Sequence, residues 1–175
     1  MDLGLRRGIV ELVPYRPAWK KLFGEEKDRL EEVIGHQVVD IQHIGSTSIP
    51  GVPAKPILDM GIAVVDFELS KVCIDPIEEL GYHYRGEHGI PRRHYFVKGN
   101  PTTHHLHMLE VTSRDWKAHL LFRSCLTQHP DIAQEYAELK IDLAERYRTD
   151  REAYQEGKDA FIERILELAQ EEKGR

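Results

Sequence analysis

The chain has 175 residues, 41% hydrophobic and 31% charged, which is enough for one ordinary core and too short for two comfortable ones. Its formal net charge of −6 excludes strong general attraction to nucleic acid or anionic lipid, so any anion site has to be local. The longest apolar run, Met60 to Val65, is too short to cross a bilayer, and no apolar region of signal-peptide length follows Arg6 and Arg7, which predicts a cytoplasmic protein without a membrane partner.

After a short apolar segment, Ile9 to Val13, the residues Trp19, Leu22, Phe23, Leu30, Val33 and Ile34 recur at helical spacing between Pro17 and Gly35. An amphipathic helix is expected there. The β-branched run VVDIQHI predicts a strand that Gly45 ends, and PILDMGIAVV predicts a second strand. On that second strand Leu58, Met60 and Ile62 share one face, while Ile57, Asp59, Gly61 and Ala63 share the other. Phe67 to Leu80 is expected to be helical, kinked or divided at Pro76. RRHYFVK and HHLHMLEV predict two strands of a hairpin joined through GNPTT. From Thr112 the pattern turns helical, beginning with a capping box from Thr112 to Asp115. A second helix is expected from about Asp131 to Tyr147, with a stripe of Ile132, Tyr136, Leu139 and Leu143, and a third from about Asp150. The expected organisation is therefore one domain over 1–175, with a sheet-containing part to about 111 and a helical part beyond it. Cys73 and Cys125 lack CxxC spacing and are expected to be reduced packing residues.

The segment HIGSTSIPGVPAKPILD carries the most chemistry. Gly45 permits an unusual backbone angle, and Ser46, Thr47 and Ser48 set three hydroxyls beside consecutive backbone amides, a cradle suited to a phosphate. A rigid strand connection with solvated serines is the structural alternative. The segment is not a P-loop, because Pro50, Pro53 and Pro56 lead it into a strand rather than a helix. Asp59, alone in an apolar strand, suits a divalent cation shared with substrate phosphates, or else a pairing with Lys55 or an arginine.

In THHLHMLE, alternation puts His105 and His107 on one face, where they could chelate a metal with Asp59 if the two strands are neighbours. A hydrogen-bonded surface pair is the plainer reading. Glu110 is a competing carboxylate, on the face of Leu106. Arg92, Arg93 and Lys98 gather positive charge in an otherwise acidic chain, which suits an anionic ligand. Lys158, one helical turn after Tyr154, could reach a phosphate or be solvated, and solvation is the preferred reading.

VELVPYRPAW, HIGSTSIPGVPAKPILD, LGYHYRGEHGIP, YFVKGNP, THHLHMLE and YQEGKDAFI together resemble the GrpB family, also called UPF0157, over nearly the whole chain. That family is grouped with the nucleotidyltransferase superfamily, whose pattern is a Gly-Ser turn and then a strand bearing two carboxylates one residue apart. The resemblance implies an α+β fold, a nucleotidyltransferase-like mixed sheet flanked by helices with a helical C-terminal part. It matches Gly45 and Ser46 to the turn and Asp59 to the first carboxylate, with Gly61 in place of the second. It implies Asp59 and Ser46 as catalytic residues. Joined to the residue readings above, this gives an expected substrate site of Gly45, Ser46, Thr47, Ser48, Lys55, Arg92, Arg93 and Lys98 and an expected metal site of Asp59, His105, His107 and Glu110. The expected cofactor is a divalent metal, Mg²⁺ or Mn²⁺ ahead of Zn²⁺, and the expected ligand is a nucleotide or another phosphorylated small molecule. Transfer of a nucleotidyl group is the leading activity. A catalytically silent nucleotide- or coenzyme-A-related binding or chaperone-like module is the alternative.

Overall fold

The computed structural model describes residues 3–174. Five strands, β1 (Asp40–Ile44), β2 (Leu58–Val64), β3 (Tyr82–Tyr84), β4 (Arg93–Lys98) and β5 (His104–Glu110), form one mixed sheet in the order β1-β2-β5-β4-β3. Five helices surround it: α1 (Ala18–Ile34), α2 (Ile74–Glu79), α3 (Arg114–Gln128), α4 (Pro130–Arg146) and α5 (Arg151–Lys173). The architecture is α+β, as the sequence pattern and the resemblance both indicate.

The chain's period-two pattern decides how the layers stack. Met60, Ile62 and Val64 of β2 join Leu106 and Met108 of β5 and Phe96 of β4 in a core closed by Leu30 and Ile34 of α1 and Ile77 of α2. The opposite face carries Ala63 and Leu109, which pack on Trp116 of α3. Beyond it, α3, α4 and α5 share a second core of Leu126, Tyr136, Phe161 and Ile165 with Ile49 and Val52 from the loop between β1 and β2.

The β4–β5 hairpin forms through Gly99–Thr103, with Lys98 opposite His104. Phe67–Leu80 is not one helix: a 3-10 stretch over Leu69–Cys73 leads into α2, and Pro76 lies inside the first turn of α2, where its missing N–H leaves no helical bond unmade. The α3 cap falls one residue later than expected. Ser113, not Thr112, is the N-cap, and its hydroxyl accepts the Trp116 N–H at 3.2 Å.

Candidate functional site

The turn after β1 puts Gly45 at φ 69° and ψ −174°, a conformation almost reserved for glycine. The same residue lies against Asp59: a Cβ there would stand 2.9 Å from Asp59 Oδ2. Backbone freedom and close approach thus require the same glycine. The next three residues form a 3-10 turn, Ser46–Ser48, that faces Ser46 into a cleft of about 950 Å³ between the sheet and helices α3 to α5.

Asp59 stands at the floor of that cleft because β2 and β5 are parallel neighbours, with Asp59 opposite His105 and Gly61 opposite His107. His105 Nδ1 and His107 Nε2 each donate to Asp59 Oδ1 at 3.2 Å. His107 is then fixed as one tautomer, since its Nδ1 accepts from Arg93 Nη1 at 3.2 Å. Burial works to raise the Asp59 pKa, but the hydrogen bonds from both histidines more than offset it and hold the carboxyl well below its ordinary value. Burial pushes His107 down as well, so it is a neutral imidazole near pH 7. His119 of α3, whose ring is 5.6 Å from that of His107, is pushed down to about 4 by burial. Among the described residues no group of three or more His, Cys, Asp and Glu side chains forms a ready metal cage.

Gly61, where the resemblance would set a second carboxylate, is closed by packing. A Cβ there would lie 2.9 Å from Trp116 Cζ3 and 3.4 Å from Ile44 Cδ1, so the Trp116 ring takes the space a longer side chain would need.

The cleft is otherwise lined with cations that strand patterns alone do not reveal. Lys55, Lys140 and Lys158 reach it from the loop before β2, from α4 and from α5. Burial and then the charge of Arg151 lower Lys55 to about 8, and burial and then Lys55 lower Lys158 to about 7. Lys140 is driven well below its ordinary value by burial and by the other two ammonium groups. The expectation that Lys158 is solvated is corrected: it is half-buried against the Tyr154 ring, with Nζ 4.4 Å from the centroid. Sequence reasoning also missed Lys140, His119 and Tyr136. A signal existed for two of the cleft lysines, because Lys140 and Lys158 each follow a buried core tyrosine by four residues and therefore lie on the apolar side of an amphipathic helix.

Several expected site residues do not reach the cleft. Arg92, Lys98 and Glu110 share the strand parity of His94, Phe96 and Leu106, which turns them to the α1–α2 face. Glu110 accepts from Arg92 at 2.7 Å and from the Phe67 N–H at 3.1 Å; these bonds, Arg92's first, take its pKa down to about 2 and leave it no metal role beside Asp59. Lys98 is paired with Glu26. Ser48 donates its hydroxyl to the Gly45 carbonyl at 2.5 Å and does not line the cleft. Thr47 borders the cleft, but it is buried and its hydroxyl bonds His43 Nε2 at 2.9 Å, so that oxygen is already engaged. Gly45, Ser46, Lys55, Asp59, Arg93, His105 and His107 do come together.

A family model described as GrpB protein matches residues 9–168. The chain belongs to the GrpB family. This GrpB-family chain is 45% identical over 168 residues to the UPF0157 protein YqkA of Bacillus subtilis, covering 95% of itself and 49% of that protein, so it spans about half the length of that relative. The crystal structure of conserved protein GrpB from Enterococcus faecalis matches with a TM-score of 0.87 at 35% identity, over 94% of this chain and 100% of that one. A more distant likeness, 27% identity over 176 residues, reaches a dephospho-CoA kinase of Mycolicibacterium paratuberculosis, over 86% of this chain and 43% of that protein.

Proposed function

We propose that the cleft binds the phosphate chain of a nucleotide, or of another phosphorylated small molecule, at the Gly45–Ser46 turn, with a divalent metal carried by Asp59, and that nucleotidyl transfer is its reaction. The observation that carries this reading is the setting of Asp59. One carboxylate oxygen is shared by two imidazoles at 3.2 Å, and the carboxylate touches the glycine turn and opens to the cleft. The superfamily placement rests on the resemblance, and the distant likeness to a dephospho-CoA kinase supports a nucleotide- or coenzyme-A-related ligand.

The donor set fits one hard or borderline ion. Ligand atoms around an ion at about 2.1 Å stand roughly 3.0–3.3 Å apart, which is the spacing Asp59 Oδ1 keeps to both nitrogens. The two histidines are not equivalent. Arg93 commits the lone pair of His107 Nδ1, so the proton stays on Nε2 and His107 orients the carboxylate. His105 has no such constraint on its tautomer, so it would ligate through Nδ1 once the proton that Nδ1 gives to Asp59 moves to Nε2. One carboxylate with one imidazole, completed by phosphate oxygens and water, suits Mn²⁺ or Mg²⁺ better than a Zn²⁺ cage. When bound, such an ion supplies charge neutralisation at the phosphate. Cytoplasmic residence accords with a ligand of that class.

A second reading has its own support. Trp116 fills the space at Gly61, so a second metal-holding carboxylate has no room, and the cleft would then serve binding alone. Wild type and Asp59→Asn distinguish the readings when assayed with nucleoside triphosphates and Mn²⁺ or Mg²⁺. The transferase reading expects a metal-dependent rise in thermal midpoint and pyrophosphate release at least a hundredfold above Asp59→Asn. Metal-dependent nucleotide binding without pyrophosphate release establishes the binding module. Equal metal-dependent binding by wild type and Asp59→Asn removes the ion from Asp59 and overturns both.

A further inference from the structure

The lysines of the cleft have a feature that the Asp59 reading leaves unused. Lys158 Nζ and Lys55 Nζ stand 4.4 and 5.5 Å from the centre of the Tyr154 ring, and Lys140 Nζ stands 5.2 Å from that of Tyr136. None of the three ammonium groups forms an ion pair with a carboxylate among the described residues. Lys140 is 2% exposed, with a hydrogen bond to the Pro53 carbonyl at 2.5 Å. Tyr154, under Lys55 and Lys158, is 0% exposed, and its hydroxyl is the one buried side-chain polar atom without a hydrogen-bond partner among the described residues.

Each feature costs stability when the cleft is empty. An unmet buried hydroxyl is destabilising, and crowded, desolvated ammonium groups repel one another. The aromatic faces recover part of this for the cations, but they give the hydroxyl no acceptor. A single anion with several oxygens would meet both needs, accepting from the hydroxyl and neutralising the cluster.

We propose that Lys55, Lys140, Lys158 and the Tyr154 hydroxyl form a second anion subsite, built for a phosphate group bound directly, without a metal. This rests on the phosphate-binding reading of the cleft and deepens it: the substrate carries an anionic group beyond the one served at Asp59, as a di- or triphosphate chain does. The two ends differ in charge logic. A bare phosphate is repelled by the Asp59 carboxylate and attracted by the lysines, so without metal it goes to the lysine end.

Binding here is coupled to protons. The charged groups facing Lys158 are Lys55, Lys140 and Arg151 on the positive side and Asp59 and Asp159 on the negative side. Lysines held near 7 and 8 in the empty cleft are partly neutral above those values and must regain protons to hold a phosphate. Affinity is therefore full below about pH 7 and falls as the pH rises through the lysine range.

The experiment is titration calorimetry of the full chain with pyrophosphate in EDTA, on wild type, Lys158→Gln, Lys55→Gln and Asp59→Asn. Nucleoside triphosphate in a parallel arm reports whether the base adds affinity. The subsite predicts metal-free pyrophosphate binding that weakens at least tenfold in each lysine variant and is unchanged or tighter in Asp59→Asn. It also predicts proton uptake on binding, read from buffers of different ionisation heat. No metal-free binding at millimolar pyrophosphate overturns it, as does equal affinity in wild type and both lysine variants. Failure of the Asp59 reading looks different, because metal dependence then survives in Asp59→Asn whatever the lysine variants do.

Discussion

Glu26, on α1, has 4% of its side-chain surface exposed on one side of the sheet, and Asp59, on β2, has 30% exposed on the other. Glu26 is surrounded. Lys98 Nζ and the Tyr82 hydroxyl each donate to its Oε1 at 2.7 Å, and Arg29 reaches its Oε2 at 3.3 Å. Burial works to raise its pKa, and the bonds from Lys98 and Tyr82 more than offset that and leave it lowered. All three partners bond it directly, and it lies outside the cleft that Asp59 borders. Asp59 is held by imidazoles on one oxygen, while the lysines that share its cleft form no ion pair with a carboxylate among the described residues. The two regions show that a buried carboxylate by itself does not mark a site. What marks one is charge left uncompensated around an open volume.

The largest expected effect breaks the closed side. Glu26→Ala leaves the Lys98 ammonium and the Tyr82 hydroxyl without their shared acceptor, and should cost about 3 kcal/mol or more in urea unfolding. Asp59→Asn keeps the shape and an oxygen for the histidine N–H groups, and should change stability by about 1 kcal/mol or less. The acid limb sharpens the contrast. A carboxylate with a lowered folded pKa contributes stability above its unfolded value of 4.5, and that contribution is lost as pH falls through the folded value, so Glu26→Gln should flatten the stability profile in that range.

An intermediate effect addresses Gly61, where the resemblance would set a second carboxylate. Gly61→Asp should not restore a metal site; it should destabilise the fold by about 3 kcal/mol, because the new side chain meets Trp116 and buries a charge against Ala63 and Leu109. A Gly61→Asp variant that keeps its thermal midpoint and gains Mn²⁺ affinity would show that Trp116 yields and that the cleft accepts the usual carboxylate pair.

The smallest effect is expected on the α1–α2 face. Arg92 is exposed and paired with Glu110, away from the cleft, so Arg92→Gln should leave thermal midpoint and pyrophosphate affinity at wild-type values. Arg93→Gln, by contrast, frees the tautomer of His107 and should alter metal affinity, read by Mn²⁺ calorimetry.

The residues that local chemistry governs were legible in the sequence. Trp19, Leu30 and Ile34 specify α1 through their spacing, and Gly45 marks a turn that other residues cannot adopt. Alternation along β5 correctly paired His105 with His107 and set Glu110 on the other face, because side-chain direction in a strand depends only on position parity. The same parity, applied to β4, separates Arg93 from Arg92 and Lys98, which composition had grouped as one positive patch. Strand adjacency is another matter. Leu58–Val64 and His104–Glu110 are parallel neighbours although some forty residues lie between them, and that choice follows from how the β4–β5 hairpin and the helices share the two faces of the sheet. Only this packing sets the imidazoles beside Asp59, puts the Trp116 ring over Gly61 and brings lysines from a loop and two helices to the rings of Tyr154 and Tyr136. Local spacing fixes which way a side chain points, whereas the charges it meets depend on contacts between distant segments, which hydrophobic burial selects and no local pattern encodes.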